Sequence, residues 1–218
     1  MMPQTKVFRS VGLVVLLGAI SFPQAVWAAT ILSTSTANNG SGGIFLDLTA
    51  AGLSLTVNSF DTYFGATAGT AGEVEVYTRP GSYVGFNTAN TGWTLIQNIN
   101  FISQGTTTLA NVSFATGISI VAGQTVGVYL HSITPANGIR YNGTGVEPPQ
   151  TTWSNADLTL FSSDVRTGSV AFDGSAFSPR TFAGNVNYTL DSEVPEPSSI
   201  ALLGAGLAGM AWLRRKRA

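Results

Sequence analysis

The central part of the chain alternates apolar and polar residues with a period of two. Leu53, Leu55 and Val57 alternate with Ser54, Thr56 and Asn58. Val74, Val76 and Thr78 are set against Glu73, Glu75, Tyr77 and Arg79. Val126, Val128 and Leu130 oppose Thr125, Gly127, Tyr129 and His131, and Val186, Tyr188 and Leu190 oppose Asn187 and Thr189. Successive side chains of a strand point to opposite faces, so this pattern predicts antiparallel sheet with one buried face. Further strands are expected over 44–49, 93–101, 107–114, 138–141 and 158–161. Turn signals punctuate them at Asn39-Gly40, Ala71-Gly72, Pro80-Gly81, Thr91-Gly92, Ala122-Gly123, Asn137-Gly138 and Asp173-Gly174. No stretch between these signals carries an apolar stripe of helical period and length. Nine or ten short strands with glycine-rich turns predict an all-β fold, an antiparallel β-sandwich with the jelly roll as one topology. Residues 35–43 read as a flexible entry to the first strand. Residues 141–154, interrupted by Pro148-Pro149, and 174–180 read as long loops.

The two ends follow other rules. Lys6 and Arg9 precede an apolar run over 11–20, and Val26-Trp27-Ala28 places small residues at −3 and −1. This is the layout of a secretory signal peptide over residues 1–28, cleaved after Ala28 by signal peptidase once the Sec translocon has exported the chain. At the other end, Pro195 and Pro197 fix their own φ and push Val194 and Glu196 into extended conformation. Ser198 and Ser199 offer an N-cap, and residues 200–213 are continuously apolar or small. Arg214, Arg215, Lys216 and Arg217 then form a cytoplasmic stop. The span over 198–213 has 16 residues, roughly 24 Å of helix against a hydrocarbon core of about 30 Å. It is a marginal transmembrane helix, suited to brief anchoring and release. Gly204 with Ala208, and Ala205 with Gly209, give it small faces for packing on another membrane helix.

Val194-Pro195-Glu196-Pro197, the short span and the basic tail, in that order, resemble the PEP-CTERM sorting signal. The resemblance covers residues 194–218. It implies a Gram-negative bacterium, handling by the membrane enzyme exosortase, transient anchoring in the inner membrane, and a destination at the cell surface or in an exopolysaccharide matrix. The run over 73–85 with Gly92-Trp93-Thr94 also resembles poorly characterised β-sandwich domains of exported bacterial proteins, which bears on fold rather than activity.

Between the two ends lie residues 29–193, 165 residues and enough for one domain with its own core. This domain has ten acidic residues, four arginines and no lysine, a net charge of −6. Such a surface has no electrostatic footprint for nucleic acid. The chain has no cysteine, which removes thiol catalysis and thiolate metal sites.

Catalytic chemistry has few places to reside. His131 is the single histidine, so a Ser-His-Asp triad would rest wholly on it, and its phase with Thr125 and Tyr129 predicts a solvated or hydrogen-bonded strand-face position. Glu73 and Glu75 share one strand face about 7 Å apart, a carboxylate pair of the kind that can cleave glycosidic bonds, although cross-strand charge pairing on an exposed face is the expected role. Asp157, Asp164 and Asp173 are the candidates for calcium, but their spacing matches no calcium loop. No other metal or cofactor is expected. Trp93 shares phase with Leu95, Ile99 and Phe101 and is expected in the core. Trp153, placed in the proline-bounded loop, and Tyr83, after Pro80-Gly81, are the candidate glycan contacts, because a ring face can bury the apolar face of a sugar, although plain packing under a loop is the expected role of each. Asn-x-Ser/Thr triplets at Asn39, Asn111, Asn142 and Asn187 carry little weight in a chain rich in these residues. The expectation is a non-catalytic surface or matrix protein, with exopolysaccharide as a partner and carbohydrate binding as its mode. The alternative is a secreted glycan hydrolase or lyase using carboxylates.

Overall fold

A computed structural model describes residues 30–40, 42–143 and 150–191. The strands are β1 (Thr30–Ser33), β2 (Asn39–Gly40), β3 (Gly43–Ala50), β4 (Leu55–Thr62) and β5 (Ala71–Pro80). Next come β6 (Thr94–Ile102), β7 (Ala110–Ile120), β8 (Thr125–Ser132), β9 (Arg140–Asn142) and β10 (Thr152–Ser154). The last are β11 (Leu158–Phe161), β12 (Val165–Arg166), β13 (Ala176–Phe177), β14 (Thr181–Phe182) and β15 (Gly184–Leu190). One sheet runs β1-β15-β4-β7 and the larger runs β10-β11-β3-β8-β5-β6, with β12 also paired to β3 and β13 to β12. A third small sheet, β14-β9-β2, completes the arrangement. All these strand pairs are antiparallel.

The alternating residues build the core between the two larger sheets. Leu55, Val57, Val112, Ile120, Val186 and Tyr188 from the four-stranded sheet meet Ile44, Leu46, Val74, Val76, Val128 and Leu130 from the larger one. The architecture is the all-β sandwich that the period-two pattern predicts, and each expected strand has a counterpart. The count is higher because pairs of two to four residues, such as β2 with β9 and β12 with β13, are too short to register as periodic segments.

Three local expectations fail for identifiable reasons. Asn39-Gly40 is not a turn but β2, and a Cβ on Gly40 would lie 2.4 Å from the Arg140 Cα, so glycine permits close backbone approach. Ala71-Gly72 likewise opens β5, where a Cβ on Gly72 would lie 2.5 Å from the Phe101 ring. Bulges also break the phase. Against β15, Asn58 of β4 is an extra residue, so Leu55 and Val57 face the core, and beyond the bulge Phe60 and Thr62 do. In β6 the extra residue is Ile96. Ile99 and Phe101 point inward as expected, but Trp93 packs instead in an aromatic cluster outside the main core, and Leu95 is exposed.

The largest departure concerns the face opposite the core. On β3 and β8, Phe45, Asp47, Tyr129 and His131 alternate with the core residues and should be solvated, yet each is buried. Residues 81–93 and 162–174 fold over this face. They carry Tyr83 and Phe172 into a second aromatic cluster with Phe45 and Tyr129, flanked by Tyr77, Trp93 and Phe161.

Candidate functional site

The covered face of the larger sheet gathers most of the titratable side chains. Phe45 stacks on Tyr129 with ring centroids 4.0 Å apart, and Phe172 closes on Tyr129 at 4.7 Å. Phe172 takes a left-handed φ of 67°, a strained conformation for an aromatic residue that its insertion among these rings offsets. Asp47, in the middle of apolar β3, accepts hydrogen bonds from the Tyr83 N–H at 2.7 Å and from the Ser82 hydroxyl. Gly127 of β8 lies opposite Asp47 and Arg79, and its missing side chain lets residues 81–83 cross the sheet there. The Tyr83 hydroxyl donates to Asp164 at 2.9 Å and accepts from the Ser163 N–H at 3.0 Å.

His131 lies directly across from Glu75. Its Nδ1 is 2.9 Å from the Glu75 carboxylate and its Nε2 is 3.0 Å from the Gly168 carbonyl. A carbonyl only accepts, so Nε2 carries the proton of the bond to Gly168. The expected hydrogen-bonded histidine is present, but it is enclosed rather than solvated, and neither nitrogen is available to a substrate. The same Glu75 acts on Tyr77, whose hydroxyl is pushed up to about 12, first by burial and then by that carboxylate.

Burial pushes the Asp47 carboxyl above its ordinary value of 3.8, against the opposing pull of Ser82, the Tyr83 amide and Arg79. The folded state therefore holds this proton more tightly than the unfolded chain. The contribution favours folding below the ordinary carboxylate value and is lost as pH rises through the raised one. Asp47→Asn keeps an acceptor for the Tyr83 amide without the charge. Urea unfolding from about pH 3 to pH 7 should show the variant gaining on the parent as pH rises. A parent that gained on the variant would reverse the assignment.

The structure uses the other carboxylates separately. Asp157 accepts from the Tyr188 hydroxyl at 3.1 Å, and Asp173 accepts from the Gly174 N–H at 2.7 Å. With Asp164 held by Tyr83, the three calcium candidates serve three different bonds. Among the described residues no three histidine or acidic side chains converge as metal ligands. On the open face of the four-stranded sheet, Asp61 accepts from the amides of Asn111, Asn185 and Asn187 at 2.6, 3.3 and 2.9 Å.

The two candidate glycan contacts are both packed against other residues. Tyr83 is fully enclosed and offers no ring face to solvent. Trp153 is not at a loop tip. It sits on β10 opposite Leu160, half-buried against the main core, because residues 152–154 find pairing partners in β11. Val194, Pro195, Glu196 and Pro197, Arg214, Arg215, Lys216 and Arg217, and Ala28 lie outside the described residues.

Concave surface occurs along the seam where β6, the edge of the large sheet, runs beside β7, the edge of the small one. A groove of about 770 Å³ is lined by residues that include Thr94, Ile96, Thr116, Ser119, Val121 and Gln124. A second, of about 370 Å³, lies between Asn100, Phe101, Ile102 and Asn111, beside Ala71 and Gly72. Neither is lined by a carboxylate. Periodicity alone does not reveal this seam, since it depends on which strands end up at the edges.

Comparison with curated proteins found no match to the chain. The PEP-CTERM protein-sorting motif, by contrast, matches residues 193–216. That match coincides with the proline-bounded dipeptide, apolar span and basic tail: the chain carries a PEP-CTERM sorting motif, the C-terminal signal of an exosortase substrate.

Proposed function

We propose that the exported domain is a non-catalytic module of the cell surface or extracellular matrix that holds carbohydrate in the grooves between β6 and β7. The observation that carries the non-catalytic reading is the engagement of the candidate acids and bases. His131 is bonded on both nitrogens, and Asp47, Asp157, Asp164 and Asp173 each accept a hydrogen bond that fixes local structure. A hydrolase or lyase using carboxylates needs two of them converging on a groove, whereas the grooves here are lined by hydroxyls, amides, apolar groups and the Arg79 side chain. Arg79 apart, such a surface offers uncharged hydrogen-bonding partners over an apolar floor, the chemistry that suits a neutral glycan.

Binding of residues 29–193 to a panel of neutral and acidic polysaccharides tests the reading. Retention on a neutral glycan is expected, with no release of reducing ends or unsaturated products. Turnover of any glycan would overturn the non-catalytic assignment, and failure to bind the whole panel would remove the carbohydrate mode. Intact-mass measurement of surface material should show a chain ending close to Pro195-Glu196-Pro197. Retained Arg214 to Arg217 would contradict processing at that motif.

A further inference from the structure

The two sides of the sandwich end in different kinds of edge. On one side the edge strands are β1 and β10, of four and three residues. On the other they are β6 and β7, of nine and eleven. A short edge offers little to pair with, whereas a long one presents a row of unpaired N–H and C=O groups. β7 is interrupted. Between Ser113 and Ile118 it leaves the register of β4, and the Ala115 N–H turns to the Gln97 side chain at 3.2 Å. β6 keeps regular register with β5 from Gln97 to Ile102.

Edges are usually guarded by charge, and this one is not. Residues 81–139 form a run of 59 that contains no Asp, Glu, Lys or Arg, and β6, β7 and β8 all lie within it. Elsewhere the domain is acidic, so two copies repel one another except along this side. Here Leu95, Ile96 and Ile102 are 46 %, 41 % and 50 % exposed.

We propose that β6 pairs antiparallel with β6 of a second copy about a two-fold axis at Ile99, joining the large sheets of the two copies into one. This register sets Ile96 against Ile102, Gln97 against Phe101 and Asn98 against Asn100. From Gln97 to Phe101 it keeps residues of like face opposite one another, as a continuous sheet requires. Each exposed isoleucine is covered by its counterpart, and no like charges meet across the pair. The paired stretch is about 23 Å long at ~3.3 Å per residue. A second copy fits better than a foreign strand because the same seven residues supply both sides, and a two-fold interface needs only one self-complementary patch.

The chain has no cysteine, so introduced ones are the only thiols. Asn98→Cys and Asn100→Cys versions of the full chain, mixed and mildly oxidised, should give several-fold more disulfide-linked dimer than either alone. Opposed positions bring the two Cβ atoms within bonding range. Ile31→Cys on β1 should give none above background. Asn98→Lys should lower the dimer at least tenfold in sedimentation while leaving the melting temperature unchanged. The uncharged cysteine variants keep the test in force should the lysine variant fail to fold. A mixture that crosslinks no better than Ile31→Cys overturns the pairing. So does a monomeric parent whose glycan binding is weakened by Asn98→Lys, an outcome that would leave the carbohydrate reading intact.

Discussion

Val128→Asp will leave the exported domain unfolded at room temperature. Val128 is fully buried, on β8 between β3 and β5, and points into the core between the two sheets. Its cross-strand partners are Leu46 and Thr78, and neither carries a cation to receive a carboxylate. An unpaired buried charge is destabilising by several kcal/mol, set against a total stability of ~5–15 for a domain of this size. The chain has no disulfide to hold the denatured state compact. Circular dichroism of residues 29–193 reads the outcome directly: the parent should give a sheet-dominated spectrum insensitive to reductant, and the variant a disordered one. A cooperatively melting variant would mean that this position is not core.

Gly127→Val is expected to be nearly as damaging, for a reason that no strand propensity contains. Valine is a better strand residue than glycine, so propensity alone forecasts a gain. A Cβ at this position, however, would lie 2.8 Å from the Arg79 Cγ and 3.1 Å from both the Gly81 carbonyl oxygen and the Tyr83 nitrogen. The arginine could swing away, but the backbone atoms cannot move without disturbing the Tyr83 N–H and Ser82 bonds to Asp47. Residues 82–93 would lift from the sheet and expose Phe45 and Tyr129. A loss of about 2–4 kcal/mol follows from the unpaired Asp47 and the opened aromatic cluster. Chemical denaturation measures the loss, and increased proteolysis near residues 84–92 locates it. A stability equal to or above the parent would show that the crossing at Gly127 is not tight.

Several features were legible from local chemistry. A period-two pattern is produced by the pleat itself, so the strands at the centre of each sheet could be placed without knowing their partners. The two prolines, the apolar run and the basic cluster at the C terminus act through backbone restriction, hydropathy and charge, and the sorting motif found over residues 193–216 agrees with that local reading. Asp47 could also have been singled out. A lone charge inside Gly43–Ala50, among Ile44, Phe45, Leu46 and Leu48, is a sequence sign of a buried, bonded carboxylate.

Trp153 and Tyr83 illustrate what was not legible. Each follows prolines or a Pro-Gly step, and each reads as a loop aromatic that either meets a ligand or packs under its loop. Tyr83 is instead drawn under its own loop by Asp47 and Asp164, partners 36 and 81 residues away. Trp153 becomes a strand residue because β11 supplies a free edge. Likewise His131 reads as a solvated or hydrogen-bonded polar-face residue, and its enclosure follows only when residues 162–174 cover it and supply the Gly168 carbonyl.

From its sequence alone, this protein was determined to be an exported, all-β chain with a C-terminal sorting signal, because alternation, hydropathy and charge order are properties of neighbouring residues. Only the tertiary structure decided that the second face of the large sheet is closed by aromatic loops, that Asp47, Asp157, Asp164, Asp173 and His131 are engaged in bonds within the domain, and that β6 and β7 lie at the long open side. The physical reason is that burial, hydrogen-bond partners and edge position depend on contacts between residues far apart in the chain, and no local pattern records which distant segment will arrive.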